Sequence, residues 1–480
     1  MSKERSEEPR DSQLDPSYHM IGIGGHGMSV VSELLMEGGA RVSGSDRDDT
    51  PTLAILQDLG IDAYSPHGAK DFDPQATVVL SSAIRPNNVE LVLARERGQK
   101  VIHRSEALRL AAGSQKFVAV AGTHGKTTSS AMIAVGLLEA GKNPSFAIGS
   151  SITGVGTGAR SGAEIFVAEA DESDRSFLNY SPTIELITNI EPDHLDSFGS
   201  DEAFFDVFRE FAERIQSGGT LICFAEDAGS ADLARKMESR SDIAILTYGR
   251  PGRSLIGPDV AITEQKLTPL GIEGTLEHRG VSYPLKLKVS GEHNLLNAAG
   301  AWCTLVQLGI PPEQAASGLG AFAGTERRFD LIGTVDGRTL IDDFAHHPTE
   351  VESALQQARL VADGNRVVVV FQPHLFSRTD FFKQEFADAL ALADIAVVAD
   401  IDGAREDPIE GITSDLILDL VPEGATFIPG GPAEQAARIG ADLTEAGDLC
   451  VLMGCGNIYL QEPTVLERWR STPLSGSGKE

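Results

Sequence analysis

Long apolar runs are missing from this sequence, which contains no stretch of eighteen consecutive apolar residues such as a membrane-spanning helix requires. The N-terminal segment MSKERSEEPRDSQLDPS is charged and has no apolar core, so no export signal is visible. Basic residues are scarce, with 40 Lys and Arg against 70 Asp and Glu. The net charge of −30 repels a phosphodiester backbone. These absences predict a cytoplasmic protein that binds neither membrane nor nucleic acid.

Cysteine is also rare. The four cysteines, Cys223, Cys303, Cys450 and Cys455, show no metal-type pairing and lie mostly in apolar runs, as reduced buried thiols do. This usage again favours the cytoplasm. A chain of 480 residues is too long for one core and predicts about three domains of ordinary size.

Short apolar runs alternate with longer helical patterns in three stretches, which is typical of α/β layers. The first has HMIGIG, ARVSGSD and ATVVLSSAI as strands and MSVVSELLMEG as a helix, and the second has FVAVA, EIFVAEA, IELITNI and GTLICFA as strands. The third has TLIDDFA, RVVVVFQP, IAVVAD and LCVLMGC, whose continuous apolar runs predict a parallel sheet covered on both faces. The predicted domains are residues 17–113, 114–325 and 326–470, between polar tails at 1–16 and 471–480 that are expected to be disordered.

The segment KFVAVAGTHGKTTSS joins a strand to a helix through a glycine turn. Glycines let backbone N–H groups approach an anion, the helix N-terminus adds positive potential, Lys126 supplies a charge, and the Thr127 hydroxyl can ligate Mg²⁺. The strict pattern G-x-x-x-x-G-K-[ST] would need glycine where Val120 stands, so this is a shorter loop that opens at Gly122. The segment predicts nucleoside triphosphate binding by Gly122, Thr123, His124, Gly125, Lys126, Thr127 and Thr128.

A second glycine pattern, G-x-G-x-x-G at residues 22–27, follows a strand and opens a helix, and Asp46 ends the next strand. This arrangement satisfies the dinucleotide-binding rule, but any pyrophosphate can use the same physics, so a nucleotide-sugar diphosphate fits as well as NAD. The alternative is a tight βα turn with an acidic strand end. Ser81 and Ser82 would lie at the carboxyl edge of the same sheet, where ligands of α/β proteins bind.

Oxygen ligands are concentrated at two further strand ends. EIFVAEADESD supplies Glu169, Asp171, Glu172 and Asp174, and IELITNIEPDHLD supplies Asn189, Glu191, Asp193, His194 and Asp196. Their position beside the glycine turn predicts Mg²⁺ between protein and phosphates. Because Mg²⁺ takes one or two carboxylates and keeps waters, most of these acids are expected to be solvated loop charges or helix caps. Glu169 and His194 are the predicted ligands, although histidine is an unusual one for Mg²⁺.

The segment GEHNLLNAAG puts His293, Asn294 and Asn297 near a helix start, with the two asparagines on one helix face. Amide side chains there would read an adenine edge. The alternative role for Asn294 is capping of the helix.

Seven ordered motifs, GTHGKTT, EADESD, TNIEPDHLD, GEHNLLNA, GTERRF, DDFAHHPTE and FQPHLFSRT, together resemble those of the Mur ligases, and specifically of the members that add L-alanine. The resemblance is colinear from about His19 to Asn457. It implies a three-domain α/β architecture with a Rossmann-like N-terminal domain for a UDP-sugar, a central P-loop ATPase-type domain and a Rossmann-like C-terminal domain for the amino acid. It also implies UDP rather than NAD at the first glycine pattern, bound by Gly22, Gly24, Gly25, Gly27, Met28, Asp46, Ser81 and Ser82.

The activity that the resemblance implies is ATP-dependent ligation of L-alanine to the lactyl carboxylate of UDP-N-acetylmuramate in peptidoglycan precursor synthesis. The reaction would pass through an acyl phosphate, release ADP and phosphate, and use ATP and Mg²⁺, in a monomer or weak homodimer. A recycling ligase that attaches a whole tripeptide to the same sugar is the nearest alternative, although EADESDRSFL and DDFAHHPTE look more like the single-alanine enzymes. A nucleotide-dependent switch without ligation and a dehydrogenase are more distant alternatives.

Site roles follow from the same resemblance. Lys126 would hold the β and γ phosphates, and Thr127, Glu169 and His194 would surround Mg²⁺, so that Lys126, Glu169 and His194 form the catalytic group. The nucleotide would also meet His293, Asn294 and Asn297 near adenine, and Arg327, Asp342 and Asp343 from the neighbouring domain. His346 and Arg378 would lie on the amino-acid side, where a guanidinium suits the incoming carboxylate.

Two features depart from the family pattern. Several Mur ligases use a carbamylated lysine to bridge a second Mg²⁺, yet no lysine occurs between Lys142 and Lys236. A second metal would therefore need other ligands. Some alanine-adding members have arginine directly after the histidine of the QPH motif, where this chain has Leu375, so carboxylate recognition is expected to depend more on Arg378.

Overall fold

The computed structural model describes residues 14–192, 198, 200–268, 271–404 and 406–472. These residues form two compact units. The first comprises the described residues of Met1–Ser151, Val155–Ala261 and Gly300–Gly318, and the second those of Ile152–Gly154, Ile262–Ala299 and Leu319–Glu480. The chain therefore crosses from one unit to the other five times.

The first unit begins with a five-stranded parallel sheet of order β3-β2-β1-β4-β5. Its elements are β1 Ser17–Ile21, α1 His26–Glu37, β2 Arg41–Ser45, α2 Pro51–Asp58, β3 Asp62–Tyr64, β4 Thr77–Leu80, α3 Val89–Glu96, β5 Val101–His103 and α4 Arg104–Ala112. Strand β1 is buried at every position, as the central strand of a sheet covered on both faces. The strand order reverses at β1, which has β2 on one side and β4 on the other. The crevice beyond its carboxyl end is where open α/β sheets bind ligands.

Residues just before this sheet pack against it. Leu14 contacts the core of the first unit, and Asp15 accepts hydrogen bonds from Thr77 Oγ1 at 2.7 Å and Lys100 Nζ at 3.0 Å. These residues belong to the segment for which the sequence predicts a tail. Residues 1–13 and 473–480 lie outside the described part of the chain.

A larger sheet in the first unit has the strand order β12-β11-β10-β6-β9-β7-β8. Its elements are β6 Lys116–Ala121, α5 Lys126–Glu139, β7 Ser145–Ala147, β8 Ala159–Arg160, β9 Ile165–Glu169, β10 Ile184–Ile187, α6 Asp201–Ala212, β11 Thr220–Phe224, α7 Ala228–Met237 and β12 Ala244–Gly249, with a 3₁₀ helix at Ser176–Asn179. All neighbours in it run parallel except β7 and β8. Strand β13, Val260–Thr268, and helix α8, Glu292–Gln307, each span the division between the units. Helix α9 is Pro312–Leu319.

One face of this larger sheet packs on a phenylalanine-rich core. Phe177 stacks on Phe211 with ring centroids 4.4 Å apart, and Phe208 meets Phe177 edge to face. Glu185 on β10 points to the same face, because it pairs in register with Ala119 and Leu221, which belong to this core. Neither carboxyl oxygen of Glu185 has a hydrogen-bond partner in the described structure, and the residue is fully buried. Burial raises the pKa of Glu185 well above its ordinary value.

We expect Glu185→Gln to stabilise the first unit increasingly as pH rises. Because the pKa of Glu185 is raised on folding, the folded state keeps a proton that the unfolded state loses above about pH 4.5. The stability of the native protein therefore falls with rising pH by up to about 1.4 kcal/mol per unit from this group, until its folded pKa is passed. Urea unfolding at pH 6, 7 and 8 measures the gap between variant and native protein.

Tryptophan fluorescence can isolate the unit that holds Glu185. Of the two tryptophans, Trp302 lies in the first unit and Trp469 in the second, so a Trp469→Phe background leaves one reporter. Glu238→Gln, at an exposed position of the same unit, controls for the loss of one surface carboxyl. A gap between Glu185→Gln and the native protein that stays constant from pH 6 to 8 would contradict the prediction.

The second unit contains a hairpin and a six-stranded sheet. The hairpin strands are β14 Gly271–His278 and β15 Val281–Leu287. The sheet has the order β16-β17-β21-β18-β19-β20, in which only the pair β16 and β17 is antiparallel among the described strands. Its elements are β16 Asp330–Val335, β17 Arg338–Asp343, α10 Pro348–Ala362, β18 Val367–Phe371, α11 Phe376–Phe381, α12 Lys383–Leu390, β19 Ile395–Ala399, α13 Asp415–Leu418, β20 Phe427–Gly431, α14 Ala433–Leu443, β21 Leu449–Met453 and α15 Glu462–Ser471, with a 3₁₀ helix at Ile458–Gln461.

Both faces of this sheet are covered. Val351 and Leu355 of α10 and Phe386 of α12 pack on one face, and Ala437 of α14 and Trp469 of α15 pack on the other. This explains the uninterrupted run VVVVF of β18, which is buried at every position. The predicted strands of all three stretches are confirmed. Among the described residues no helix is long and apolar enough to cross a membrane.

Candidate active site

The phosphate loop, residues 122–125 between β6 and α5, is shaped by glycines. Gly122 has φ of +135°, and a Cβ placed there would overlap Thr188 Oγ1 and lie 2.8 Å from the carbonyl oxygen of Asn189. Gly125, with φ of +82°, is the residue before α5 and adopts the left-handed conformation. Glycine adopts both conformations without steric cost. The predicted strand, glycine turn and helix are therefore present, and the first amides of α5, which have no partner within the helix, lie at the turn.

Lys126 begins α5 and folds back over this loop. Its ammonium donates to the carbonyl oxygens of Gly122 at 2.5 Å and Thr123 at 3.1 Å. Both carboxylate oxygens of Glu172 lie 3.0 Å from the same Nζ atom. Burial lowers the pKa of Lys126, but the carboxylates of Glu172 and Asp171 more than offset this, and the net direction is upward. Lys126 therefore stays charged at the phosphate loop.

The end of β10 fixes the loop from its other side. The Asn189 side chain accepts from the His124 amide at 2.9 Å and donates to the His124 carbonyl at 3.0 Å. The Thr123 hydroxyl donates to the Glu191 carbonyl at 2.8 Å and accepts from the Glu191 amide at 3.0 Å. The sequence predicted oxygen ligands for a metal at this strand end. In the structure, Asn189 instead holds the backbone of the phosphate loop.

Two of the three predicted metal ligands lie beside this loop. Glu169 ends β9 and pairs in register with Val120 on β6, so it sits one strand from the loop, where its carboxylate accepts from the Gly149 amide at 2.9 Å. Thr127 is in the first turn of α5, followed by Thr128. The third predicted ligand, His194, lies outside the described residues, as do Asp193 and Asp196.

The turn after β1 carries the first glycine pattern. Gly22 has φ of +84°, and the Gly24 amide donates to Asp46 Oδ2 at 2.8 Å, so the acidic end of β2 faces the turn. The amide of Met28 donates to the Gly25 carbonyl at 2.9 Å, and its side chain is buried in the core. Ser81 and Ser82 follow β4, the other neighbour of β1. The structure therefore brings all the predicted UDP-sugar residues to one edge of one sheet.

No local sequence pattern singles out Arg104. It begins α4, and its Nη2 donates to Asp171 Oδ2 at 2.6 Å. A Cβ added at Gly27 would lie 2.7 Å from Arg104 Nη1, so the guanidinium lies against the glycine turn. Glu172, expected to be a solvated or capping acid, is instead buried with Lys126. The available signal was a basic residue directly after a strand, but its acidic partner is far away in the sequence.

In the second unit, the predicted adenine contacts lie in the first two turns of α8. The Asn294 side chain donates from Nδ2 to the Ser290 carbonyl at 2.6 Å. The alternative of helix capping is wrong, because α8 already begins at Glu292 and Asn294 lies inside its first turn. Burial and the nearby charge of Arg328 lower the pKa of His293 to about 4, so its ring is neutral at pH 7. Asn297 is half-buried one turn further along the helix.

Arg327 is tightly enclosed within the second unit. It donates from Nε to Asp342 Oδ2 at 3.1 Å and from Nη2 to the Gly454 carbonyl at 2.9 Å. Its guanidinium carbon lies 3.9 Å from the ring centroid of Tyr459 and 4.8 Å from that of Phe344. Such stacking fixes the plane of the guanidinium.

The two carboxyls that end β17 are both buried. Burial raises the pKa of Asp342 to about 7 and that of Asp343 to about 6. Asp343 accepts from the amides of Phe329 at 2.7 Å and Ala345 at 2.8 Å, whereas Asp342 Oδ1 has no hydrogen-bond partner among the described residues. Asp343 thus fixes the backbone around Arg327.

The predicted amino-acid residues lie in the same unit. His346 Nδ1 is 3.0 Å from the Phe344 carbonyl oxygen and 3.2 Å from a carboxylate oxygen of Glu350. Arg378 is buried on α11. Burial raises the pKa of the Cys455 thiol to about 12, an effect opposed by the charges of Arg378 and Arg327 and increased by Glu350.

Three sequence models of protein families match this chain. They are described as the Mur ligase family catalytic domain at residues 17–116, the Mur ligase middle domain at 120–305 and the Mur ligase glutamate ligase domain at 327–456. UDP-N-acetylmuramate–L-alanine ligase of Kineococcus radiotolerans is 48% identical over 456 residues, covering 93% of this chain and 95% of the relative. The chain belongs to the Mur ligase family. The resemblance and the fold class of three Mur ligase domains are confirmed.

Further relatives agree with this assignment. The enzyme of the same name from Paenarthrobacter aurescens is 46% identical, with 94% of this chain and 96% of the relative covered. Among solved structures, UDP-N-acetylmuramate–alanine ligase of Thermotoga maritima superposes with a TM-score of 0.79 at 29% identity and covers 95% of this chain and 99% of its own. A murein peptide ligase of Psychrobacter arcticus shares the fold, with a TM-score of 0.71 at 23% identity and coverage of 96% of this chain and 100% of its own.

Proposed function

We propose that this Mur ligase joins the amino group of L-alanine to the lactyl carboxylate of UDP-N-acetylmuramate and consumes ATP, with release of ADP and phosphate. The observation that carries the proposal is the charged Lys126 folded over the phosphate loop, next to the end of β9 where Glu169 lies. Relatives that bear the name of the alanine-adding ligase are 42–48% identical and are covered over 92–97% of their length, which supports the choice of substrates.

The chemistry needs activation because a carboxylate is a poor electrophile. A lactyl carboxylate oxygen would attack the γ-phosphorus of ATP, the bond to the bridging oxygen would break, and ADP would leave. The free amine of L-alanine would then attack the acyl carbon of the mixed anhydride, and the tetrahedral intermediate would expel phosphate while the nitrogen loses one proton to a base. The work of the protein is positioning and neutralisation of charge.

Lys126 is the residue best placed for that neutralisation. To meet phosphate oxygens, its ammonium would exchange the carbonyl oxygens of Gly122 and Thr123 for those of the nucleotide, while the N-terminus of α5 would add its backbone amides as donors. The Thr127 hydroxyl and the Glu169 carboxylate are the oxygen donors that Mg²⁺ prefers, so these residues fit the metal and would hold it, with His194 as a further predicted ligand. Bound Mg²⁺ would supply additional neutralisation of the phosphate charge.

Recognition of the amino acid is assigned to Arg378 and His346. We expect Arg378→Lys to raise KM for L-alanine about tenfold to a hundredfold, because an ammonium cannot reproduce two parallel hydrogen bonds to a carboxylate. Initial rates of ADP release against alanine concentration measure the change. Arg338→Lys is the matched control, since Arg338 is another buried arginine of this unit, bonded to the Trp469 carbonyl at 2.9 Å. An unchanged KM in Arg378→Lys would reassign the carboxylate site.

The proposal is tested by ADP release from UDP-N-acetylmuramate and ATP, with L-alanine, glycine, L-serine or the tripeptide added separately. Release that depends on both sugar and L-alanine, with the amide product identified by mass, is the expected result. Turnover with the tripeptide but not with alanine would indicate a recycling ligase. ATP binding without turnover for any acceptor would indicate a nucleotide-dependent switch.

The setting of the reaction is also a proposal. The net charge of −30 and the buried thiols Cys223, Cys303 and Cys450 support a cytoplasmic enzyme that acts without nucleic acid or membrane. We propose a monomer or weak homodimer, which light scattering over a range of protein concentrations would test.

A further inference from the structure

The segment Asp171–Asp174, which follows β9, bonds in two directions within the first unit. Toward the phosphate loop, the Glu172 carboxylate lies 3.0 Å from Lys126 Nζ. Toward the N-terminal sheet, Asp171 accepts from Arg104 at 2.6 Å and Asp174 accepts from Ser82 Oγ at 2.5 Å. Four residues thus connect the two sheets whose edges carry the two predicted anion sites.

Hydrogen bonds within the segment restrict its shape. Asp171 Oδ1 accepts from the Ser173 amide at 3.0 Å, and Asp174 Oδ1 accepts from the Ser176 amide at 2.9 Å. The carbonyl of Glu172 accepts from the Arg175 amide at 2.9 Å, and its side chain is 2% exposed. Restraining a side chain at one end of the segment therefore limits the positions that the side chains at the other end can adopt.

The end of the segment at the N-terminal sheet reaches the glycine turn directly. The Arg104 guanidinium lies against Gly27, and Ser82 follows β4 beside the same turn. A ligand in this crevice would meet both side chains while they remain bonded to the acidic segment. Arg104 has donors to spare for this purpose, because a guanidinium carries five N–H groups.

We propose that Asp171–Asp174 is a positioning segment that couples occupancy of the glycine turn to the placement of the Lys126 ammonium. The proposal rests on the proposed function, because it assumes a UDP-sugar at the glycine turn after β1 and ATP at the phosphate loop. A bound sugar restrains Arg104 and Ser82, these restrain Asp171 and Asp174, and Glu172 then holds Lys126 in fewer positions. Binding of the nucleotide then costs less conformational entropy of the protein, so each ligand strengthens binding of the other.

The test is the coupling factor, which is the ratio of the Kd values of a non-hydrolysable ATP analogue without and with saturating UDP-N-acetylmuramate. Native protein is expected to give a factor of about five or more. Arg104→Gln and Asp174→Ala are expected to give factors below about two, because each removes a hydrogen bond between the segment and the N-terminal sheet. Measurement at saturating sugar keeps a mere loss of sugar affinity from altering the factor.

Another ion pair of the first unit, matched in the exposure of its arginine, provides the control. Arg97 and Asp71 lie 2.7 Å apart, and the Arg97 side chain is 26% exposed, compared with 24% for Arg104. Arg97→Gln is expected to retain the native coupling factor. Circular dichroism checks that each variant is folded, and Asp174→Ala replaces Arg104→Gln if the latter is not.

The outcomes separate this proposal from the proposed function. Native coupling in both folded variants would overturn the positioning role of the segment. Binding of both ligands to the native protein with a factor of one would also overturn it, while the proposed function would stand. Failure of either ligand to bind the native protein would contradict the proposed function itself.

Discussion

Replacing Lys126 by alanine is expected to lower the rate of ADP release at least about a thousandfold, while binding of UDP-N-acetylmuramate stays close to that of the native protein. The substitution removes the one ammonium that the structure places on the phosphate loop, among described residues, and leaves the glycine turn after β1 intact. ADP release measures the first effect, and calorimetric titration of the sugar measures the second.

The expected loss of activity in Lys126→Ala has to be distinguished from a loss of protein stability. Lys126 is the cation beside the buried carboxylate of Glu172, and an uncompensated buried charge costs about 3–5 kcal/mol. The double variant Lys126→Ala with Glu172→Gln removes that charge, so it should recover stability but not activity. Lys116→Ala, at the exposed start of β6, controls for loss of a lysine. Normal turnover in Lys126→Ala would remove the assignment of the phosphate loop.

Gly122→Ala is the second substitution for which we expect a large effect. The new methyl group would overlap Thr188 Oγ1, and the backbone would have to keep a φ of +135°, which residues with a Cβ rarely adopt. The phosphate loop must therefore shift, because Thr188 and Asn189 are themselves bonded to His124. We expect a fall of about a hundredfold or more in ADP release and a loss of about 1–3 kcal/mol in stability.

Gly141→Ala separates backbone strain from steric overlap. Gly141 has a φ of +74°, yet nothing lies within 4 Å of a Cβ placed there. This control should lose some stability to strain while ADP release remains near the native rate. If Gly122→Ala and Gly141→Ala behaved alike in both assays, overlap with the end of β10 would not be the reason why glycine is needed at position 122.

Local pattern was sufficient to predict much of the fold. The buried run FVAVA followed by Gly122 and Gly125 predicts a strand, a turn and a helix, because sequence neighbours alone determine these features. The runs IAVVA and VVVVF predict strands of a sheet covered on both faces for the same reason. The glycine pattern at 22–27 likewise predicts a turn at a sheet edge.

Pairings across long sequence separations were not predictable. Arg104 meets Asp171 only because two sheets pack together, and their separation of 67 residues carries no local signal. Glu172 has the composition of a surface loop residue, but it is buried because Lys126 lies opposite. The role of Asn189 was missed for a related reason, since its backbone partner His124 comes from the neighbouring strand end. Glu185 looks like the polar position of a half-exposed strand, whereas β10 is buried at every position.

The interleaving of the two units has a consequence for synthesis of the chain. Leu305 lies where a Cβ on Gly136 would fall, and Tyr248 lies against Gly300, so residues 300–318 complete the packing of segments made much earlier. A ribosome must therefore release about two thirds of the polypeptide before the first unit can close its core. Until then, the apolar faces of its nascent helices have no final partner, and this is the interval in which a chaperone would be needed.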